Sequence, residues 1–195
     1  MSWPTSQDYF EAVQNPRLNF GDPELRQGTA RTSPLGLPQV MSGNFADVYP
    51  IECPGNRVYA VKCFTREVTG QRDRYREISS HLQQARLPFT VEFSYLDGEQ
   101  GIRIRGAWYP VLKMEWVEGS TLNQFVGDHV REPQTLEALG QLWVQLAQRL
   151  RDARLTHADL QHGNVMLVQV PGANAGTVKL KLIDYDGMYI PALAS

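Results

Sequence analysis

The sequence predicts an α+β chain: an antiparallel-sheet lobe carrying one helix, followed by a partial, mainly helical lobe. Three observations predict it. Residues 39–64 alternate extended apolar runs with turn residues, and extended runs return over 90–116. A single helical pattern, 69–87, separates these two sets of strands. Beyond Glu118 the apolar spacing becomes helical, until a β-branched hairpin leads to Asp184.

Bulk properties bound the reading. The 195 residues suffice for one domain or two small ones, and 42% hydrophobic with 21% charged content allows a sizeable core. A net charge of −2, from 19 basic and 21 acidic residues, gives no strong field for nucleic acid or anionic lipid. Cys53 and Cys63 make neither a disulfide framework nor a metal cluster, which suits two idle thiols in a reducing compartment. The N-terminus has no basic cluster before an apolar core, and no apolar run nears the ~20 residues that span a bilayer. A cytoplasmic, soluble protein is expected, without membrane or nucleic-acid partners.

Residues 1–38 are punctuated by Pro4, Pro16, Pro23, Pro34 and Pro38, and only Asp8 to Gln14 has helical character. They predict a disordered arm, or one that wraps the domain with Trp3, Tyr9, Phe10 and Phe20 as anchors. Residues 39–114 are expected to form the sheet lobe. Val40 to Ile51 brackets the turn Ser42-Gly43-Asn44, and Cys53 to Asn56 is a second turn before the strand Val58 to Phe64. Tyr75, Ile78, Leu82 and Ala85 mark the helix, which Pro88 stops. Strands Thr90 to Leu96 and Ile102 to Trp116 follow, the second split at Gly106, with Arg103 and Arg105 on a solvated face. Residues 115–119 join the parts. In 120–195, a short helix from Thr121 to about Gly127 precedes the helix Thr135 to Ala153, whose stripe is Leu136, Leu139, Trp143, Leu146 and Leu150.

The chemistry concentrates in Leu155 to Asp184. His157, Asp159 and Asn164 lie on a tight polar loop, and the hairpin returns the chain to Asp184 twenty residues after Asn164. Three oxygen-bearing side chains so gathered suit magnesium, which takes a few carboxylate or amide oxygens together with water and substrate phosphates. Lys62 stands within an apolar strand, where a charge is costly unless a carboxylate meets it, and Glu77 on the next helix is the natural partner. A lysine snorkelling at a strand edge is the alternative. Backbone amides of the Gly43 turn could cover phosphate oxygens. The backbone of Met114 to Gly119, at a junction between parts, could hydrogen-bond a planar base.

These residues resemble the protein kinase superfamily, in the form of bacterial serine/threonine-kinase-like chains. Ala60-Val61-Lys62 is similar to the family's strand lysine motif and Glu77 to its helix partner. Met114 to Gly119 resembles the hinge, His157 to Asn164 the catalytic loop, and Asp184-Tyr185-Asp186-Gly187 the Asp-Phe-Gly segment. The resemblance covers about residues 39 to 190. It implies ATP and Mg2+ as cofactors and transfer of the γ-phosphate to a protein hydroxyl. Lys62 would hold the α- and β-phosphates, oriented by Glu77, and Asp159 would accept the proton of the attacking hydroxyl. Asn164 and Asp184 would hold magnesium. Gly43, Val48 and Ala60 would line the nucleotide site, Glu115 and Val117 would meet the adenine, and Met114 would stand behind it as gatekeeper. His157 would be structural.

Departures from the pattern refine these expectations. Met41 and Ala46 stand where outer glycines usually sit, which predicts a stiffer phosphate-covering turn. Ala158 replaces the arginine through which an activation-loop phosphate acts. Gln161-His162 replaces the Lys-Pro of serine/threonine kinases and leaves the acceptor class open. The chain stops before a peptide-binding segment, so a large lobe that is truncated, or completed by a partner chain over the outer face of helix 135–153, is expected. Alternative readings are a nucleotide-binding pseudokinase or scaffold, a small-molecule kinase of the aminoglycoside phosphotransferase kind, and a metal hydrolase using His157, Asp159 and His162.

Overall fold

The computed structural model describes residues 2–170 and 177–193. The turn of the expected hairpin (171–176) and the last two residues lie outside them. The chain divides into two compact units, Met1–Tyr75 with Glu92–Trp116, and Arg76–Val91 with Val117–Ser195.

The first unit opens with α1 (Ser6–Ala12), α2 (Pro16–Asn19) and a 3-10 turn at Leu25–Gln27. Strands β1 (Thr29–Ala30), β2 (Met41–Ser42), β3 (Ala46–Cys53) and β4 (Arg57–Phe64) follow, then helix α3 (Gln71–Ala85), which begins in this unit. The unit ends with β5 (Phe93–Leu96), β6 (Ile102–Ile104), β7 (Ala107–Tyr109) and β8 (Val111–Glu115). Six strands form one sheet in the order β1-β3-β4-β8-β5, with β2 on β3, while β6 and β7 pair separately. The expected split at Gly106 is therefore a complete hairpin. Arg105 and Gly106 turn with φ of 51° and 82°, the left-handed pair that matches strand twist in a two-residue turn.

The N-terminal arm is not a free coil. Thr5 caps α1 reciprocally with Asp8, whose Oδ2 accepts from Thr5 N at 2.8 Å. Tyr9, Ala12, Val13, Phe20, Leu25 and Ala30 join Tyr49, Ile51, Cys53, Val61, Cys63 and Val111 in one buried core. Each arm element is only two to seven residues long, so beyond the short helical stretch at Asp8 to Gln14 no sustained period marks the arm in the sequence. What orders the arm is apolar burial at single anchors, together with main-chain pairing. Phe20 bridges Ile102, and Gly21 N donates to Gly101 O at 2.9 Å. The approach is so close that a Cβ on Gly21 would stand 1.6 Å from the Glu99 carbonyl oxygen.

Directly opposed residues share a face of a sheet. The register Tyr49↔Val61↔Lys113 therefore defines the face that the arm covers. Val48↔Lys62↔Leu112 and Ala60↔Met114 define the reverse face. At the α3 end, Tyr75 stacks on Tyr95 at 5.5 Å and meets Phe93 edge-on at 5.9 Å.

The second unit contains the rest of α3, then β9 (Ser120–Thr121), α4 (Leu122–Asp128), α5 (Pro133–Asp152), β10 (Val165–Gln169) and β11 (Val178–Leu182). α3 stops earlier than Leu87 because Arg86 turns left-handed, with φ of 47°. His81 on α3 donates its Nε2–H to the Ala153 carbonyl just past α5, at 2.8 Å. α5 buries Leu139, Leu146 and Leu150 of the expected stripe, while Leu136 and Trp143 are half-buried. Thr121 opens α4, its N–H donating to Gln124 Oε1 at 3.0 Å. Strands β11-β10-β9 form a small sheet in that order. Among the described residues, no helix is long and apolar enough to cross a membrane.

Candidate active site

In the second unit the β10–β11 hairpin gathers the polar loop. Val165 pairs with Leu182, so Asn164 and Ile183 leave the two strands side by side, and Ile183 N donates to Asn164 O at 3.0 Å. Asp184 is the next residue, with φ of 62°. Asn164 is 7% exposed and holds Asp159 through its amide: Nδ2 donates to Asp159 O at 3.0 Å and to Oδ2 at 2.8 Å. Gln161 Nε2 also donates to Asp159 Oδ2, at 3.2 Å. Asp159 itself is exposed.

Those bonds decide what Asn164 can offer a cation. With Nδ2 directed at Asp159, its Oδ1 is the atom left to act as a ligand. An amide oxygen and the Asp184 carboxylate are hard oxygen donors of the kind magnesium takes, so the residues present fit that ion.

His157 is 1% exposed and donates its Nε2–H to the Ile183 carbonyl at 3.0 Å, pinning the loop to the residue before Asp184. Burial lowers its pKa, against the opposing effects of the Ile183 bond and the Asp184 and Asp159 charges, and favours a neutral ring. The chain after Asp184 turns back through Tyr185, which is fully buried and accepts from Val91 N at 2.8 Å. Tyr189 and Thr156 then exchange backbone bonds of 2.7 and 2.9 Å, which closes the segment on the loop.

The metal-hydrolase reading of His157, Asp159 and His162 is overturned. Among the described residues, no three His, Cys, Asp or Glu side chains come together as a metal site. The buried His157 already spends Nε2 on Ile183.

In the first unit, Val48, Ala60, Lys62 and Met114 form one patch on the sheet face opposite the arm, through the pairs Val48↔Lys62 and Ala60↔Met114. Met114 is 7% exposed and is also paired with Phe93. Glu115 N donates to Glu92 O at 3.0 Å, and Trp116 N to Val58 O at 3.0 Å. Glu115 therefore has its carbonyl, not its amide, to offer a base. Gly43 lies between β2 and β3, where its N–H donates to Ala46 O at 2.9 Å. Phe45, next in that turn, carries the Arg66 guanidinium 3.4 Å from its ring centroid.

Val117 and Glu77 belong to the second unit. Glu77 stands on α3 with its Oε1 3.7 Å from Arg76 Nη2, a solvent-exposed contact. Gly119 is held by close approach: a Cβ there would lie 2.4 Å from the Leu167 carbonyl oxygen, where β9 meets β10. Both thiols are buried and free. Burial, seconded by Glu24, pushes Cys53 up to about 11, and burial raises Cys63 well above its usual value.

One polar cluster escaped the sequence reading. Lys113 Nζ donates to Asp22 Oδ1 at 2.9 Å and to Glu24 Oε2 at 2.7 Å, joining the arm to β8. Its signal was a lysine inside Val111-Leu112-Lys113-Met114, the pattern that singles out Lys62.

No family model matches the chain, and no curated protein matches it. Among solved structures, the crystal structure of the BubR1 kinase domain matches with a TM-score of 0.58 and 16% identity, over 82% of this chain and 49% of that one. The chain thus has a protein-kinase-like α+β fold, and spans about half the length of that kinase-domain chain.

Proposed function

We propose that the chain binds ATP with Mg2+ and transfers the γ-phosphate to a protein hydroxyl. The observation that carries this reading is the Asn164 amide: it fixes Asp159 by two bonds while the Asn164 backbone is tied to Ile183, beside Asp184. One hairpin would thereby set an acceptor-facing carboxylate and a pair of hard metal ligands. The Val48, Ala60, Lys62 and Met114 patch supports a nucleotide site, with the Glu115 carbonyl and the Val117 amide for the base.

Phosphoryl transfer depends on alignment and charge neutralisation more than on a strong nucleophile. Mg2+, when bound, would neutralise the phosphate oxygens. Asp159 would take the hydroxyl proton, Lys62 would hold the α- and β-phosphates, Glu77 would orient Lys62, and Gly43 would lie over the phosphates. A protein acceptor, and a partner chain over α5, are part of the same proposal; Val144 on that helix is 56% exposed.

Thermal-shift titration tests it. Mg–ATP at ~100 times its Kd should stabilise the chain by about 2.7 kcal/mol, and Lys62→Ala and Asp184→Asn should remove the shift. No stabilisation by millimolar Mg–ATP would sink the proposal. Transfer of radiolabelled phosphate, with Asp159→Asn as control, separates an enzyme from the second reading, a nucleotide-binding scaffold. Met41 and Ala46, which flank Gly43 in a turn with one glycine, favour that second reading.

A further inference from the structure

The Lys113 cluster joins two parts of the first unit that sequence separates by about half the chain. Lys113 lies on the face of the sheet covered by the arm, opposite Val61, while its neighbours Leu112 and Met114 point to the reverse face. Its side chain is only 11% exposed, and those of Asp22 and Glu24 are 16% and 21% exposed. Tyr59 adds a hydroxyl bond to Glu24 Oε1 at 3.0 Å and places its ring 4.5 Å from Lys113 Nζ. Asp22 also caps the following turn, accepting from Glu24 N at 3.2 Å and Leu25 N at 2.9 Å.

A largely buried ion cluster is poor evidence for stability, because apolar residues of similar volume often do as well. Its best-attested use is to fix one register among several. Here an apolar arm packs on an apolar sheet face, and such a contact by itself is non-directional. Main-chain bonds from Gly21 and Asp22 to Gly101 and Gln100, and the pairing of β1 with β3, give the arm a direction at its edges, and the cluster adds a side-chain lock of Asp22 and Glu24 on β8 itself. The strand so fixed is the one that runs through Met114 and Glu115 into the hinge segment.

We propose that Lys113, held by Asp22 and Glu24, is a positioning residue for the nucleotide, registering the N-terminal arm on β8 and so fixing Met114 and the Glu115 carbonyl for the base. This rests on the nucleotide reading above. The arm is then part of the nucleotide site without touching it.

Calorimetric titration of the full chain with Mg–ADP tests the proposal, at a temperature where every variant is folded by circular dichroism. Lys113→Met should weaken binding about fivefold or more, the size of effect that residues outside a site exert through a packed network. Lys113→Arg, which keeps the charge, should restore affinity to within about twofold of wild type. Amide exchange at Glu115 and Trp116, whose N–H groups donate to Glu92 and Val58, should quicken in Lys113→Met. A folded Lys113→Met chain with wild-type affinity overturns the proposal, whatever its melting temperature. If Lys113→Met does not fold, Asp22→Asn replaces it, since it keeps an acceptor for the turn and loses the charge; unchanged affinity there overturns the proposal equally. No binding by the wild-type chain overturns the nucleotide reading, and this proposal with it.

Discussion

Asn164 grips Asp159 at two points with a single nitrogen, 3.0 Å from its backbone oxygen and 2.8 Å from its carboxylate. The grip fixes both where the acid stands and how it is turned. On the proposed function, Asn164→Ala should therefore harm phosphate transfer beyond any loss of metal. A displacement of about 1 Å at a reacting group costs about 100-fold in rate, and that is the expected fall in kcat. Single-turnover measurements at saturating Mg–ATP would check it; an unchanged rate would show that the grip has no part in catalysis.

Tyr9 donates its hydroxyl to the Phe64 carbonyl at 2.7 Å, two residues beyond Lys62 on β4, and Trp3 Nε1 donates to the same oxygen. Because Trp3 still serves that oxygen, Tyr9→Phe should cost only about 1 kcal/mol. Tyr9→Ala also empties a fully buried site and should cost about 3–5 kcal/mol. Urea denaturation of the intact chain separates the two. Equal costs would mean that the hydroxyl, not the ring, carries the anchor.

The arm should also report on pH. Burial acts to raise the Glu24 pKa, but hydrogen bonds from Lys113 and Tyr59, with the Lys113 and Arg57 charges, win and hold it below its ordinary value of 4.5. A carboxylate depressed in the folded state contributes stability that is full above 4.5 and is lost as pH falls through the folded value. The difference in melting temperature between wild type and Glu24→Gln should hold at pH 6 to 8, begin to shrink below 4.5, and close as pH falls through the lower folded value. A constant difference across that range would show that the charge on Glu24 is irrelevant to its role.

Gly119→Ala tests the meeting of β9 and β10 within the second unit. The added methyl would press on the Leu167 carbonyl at 2.4 Å, and backbone on both sides leaves little room to yield. A loss of about 1–3 kcal/mol is expected, with β9 the first element to lose amide protection. Unchanged protection at Ser120 and Thr121 would contradict this.

Much of the sheet and the polar loop was legible because both have local signatures. Alternating apolar runs separated by turns mark β3, β4 and β8, and the stripe through Leu139, Leu146 and Leu150 marks α5. His157, Asp159, Asn164 and Asp184 stand out by residue type and spacing, and the hairpin register then places three of them together. The arm was harder. Tyr9 and Phe20 are visible as anchors, but nothing near them says what they bury against, since Phe64 and Ile102 come much later in the chain. Lys113 was obscured for the same reason: its carboxylates lie about ninety residues upstream. Spacing along a sequence reveals local periodicity, while partners at that distance are visible only in the fold.

The arm has a consequence for how the molecule is made. Its core partners arrive late, with Phe64 following Tyr9 by 55 residues and Lys113 following Asp22 by 91. A nascent chain emerging from the ribosome would carry Tyr9, Val13, Phe20 and Leu25 uncovered until most of the sheet had been synthesised. Closing loops of that length before their contacts can form makes for high contact order and slow folding. The start of this chain thus stays partly uncovered until partners 55 to 91 residues later are made, and needs protection while it waits.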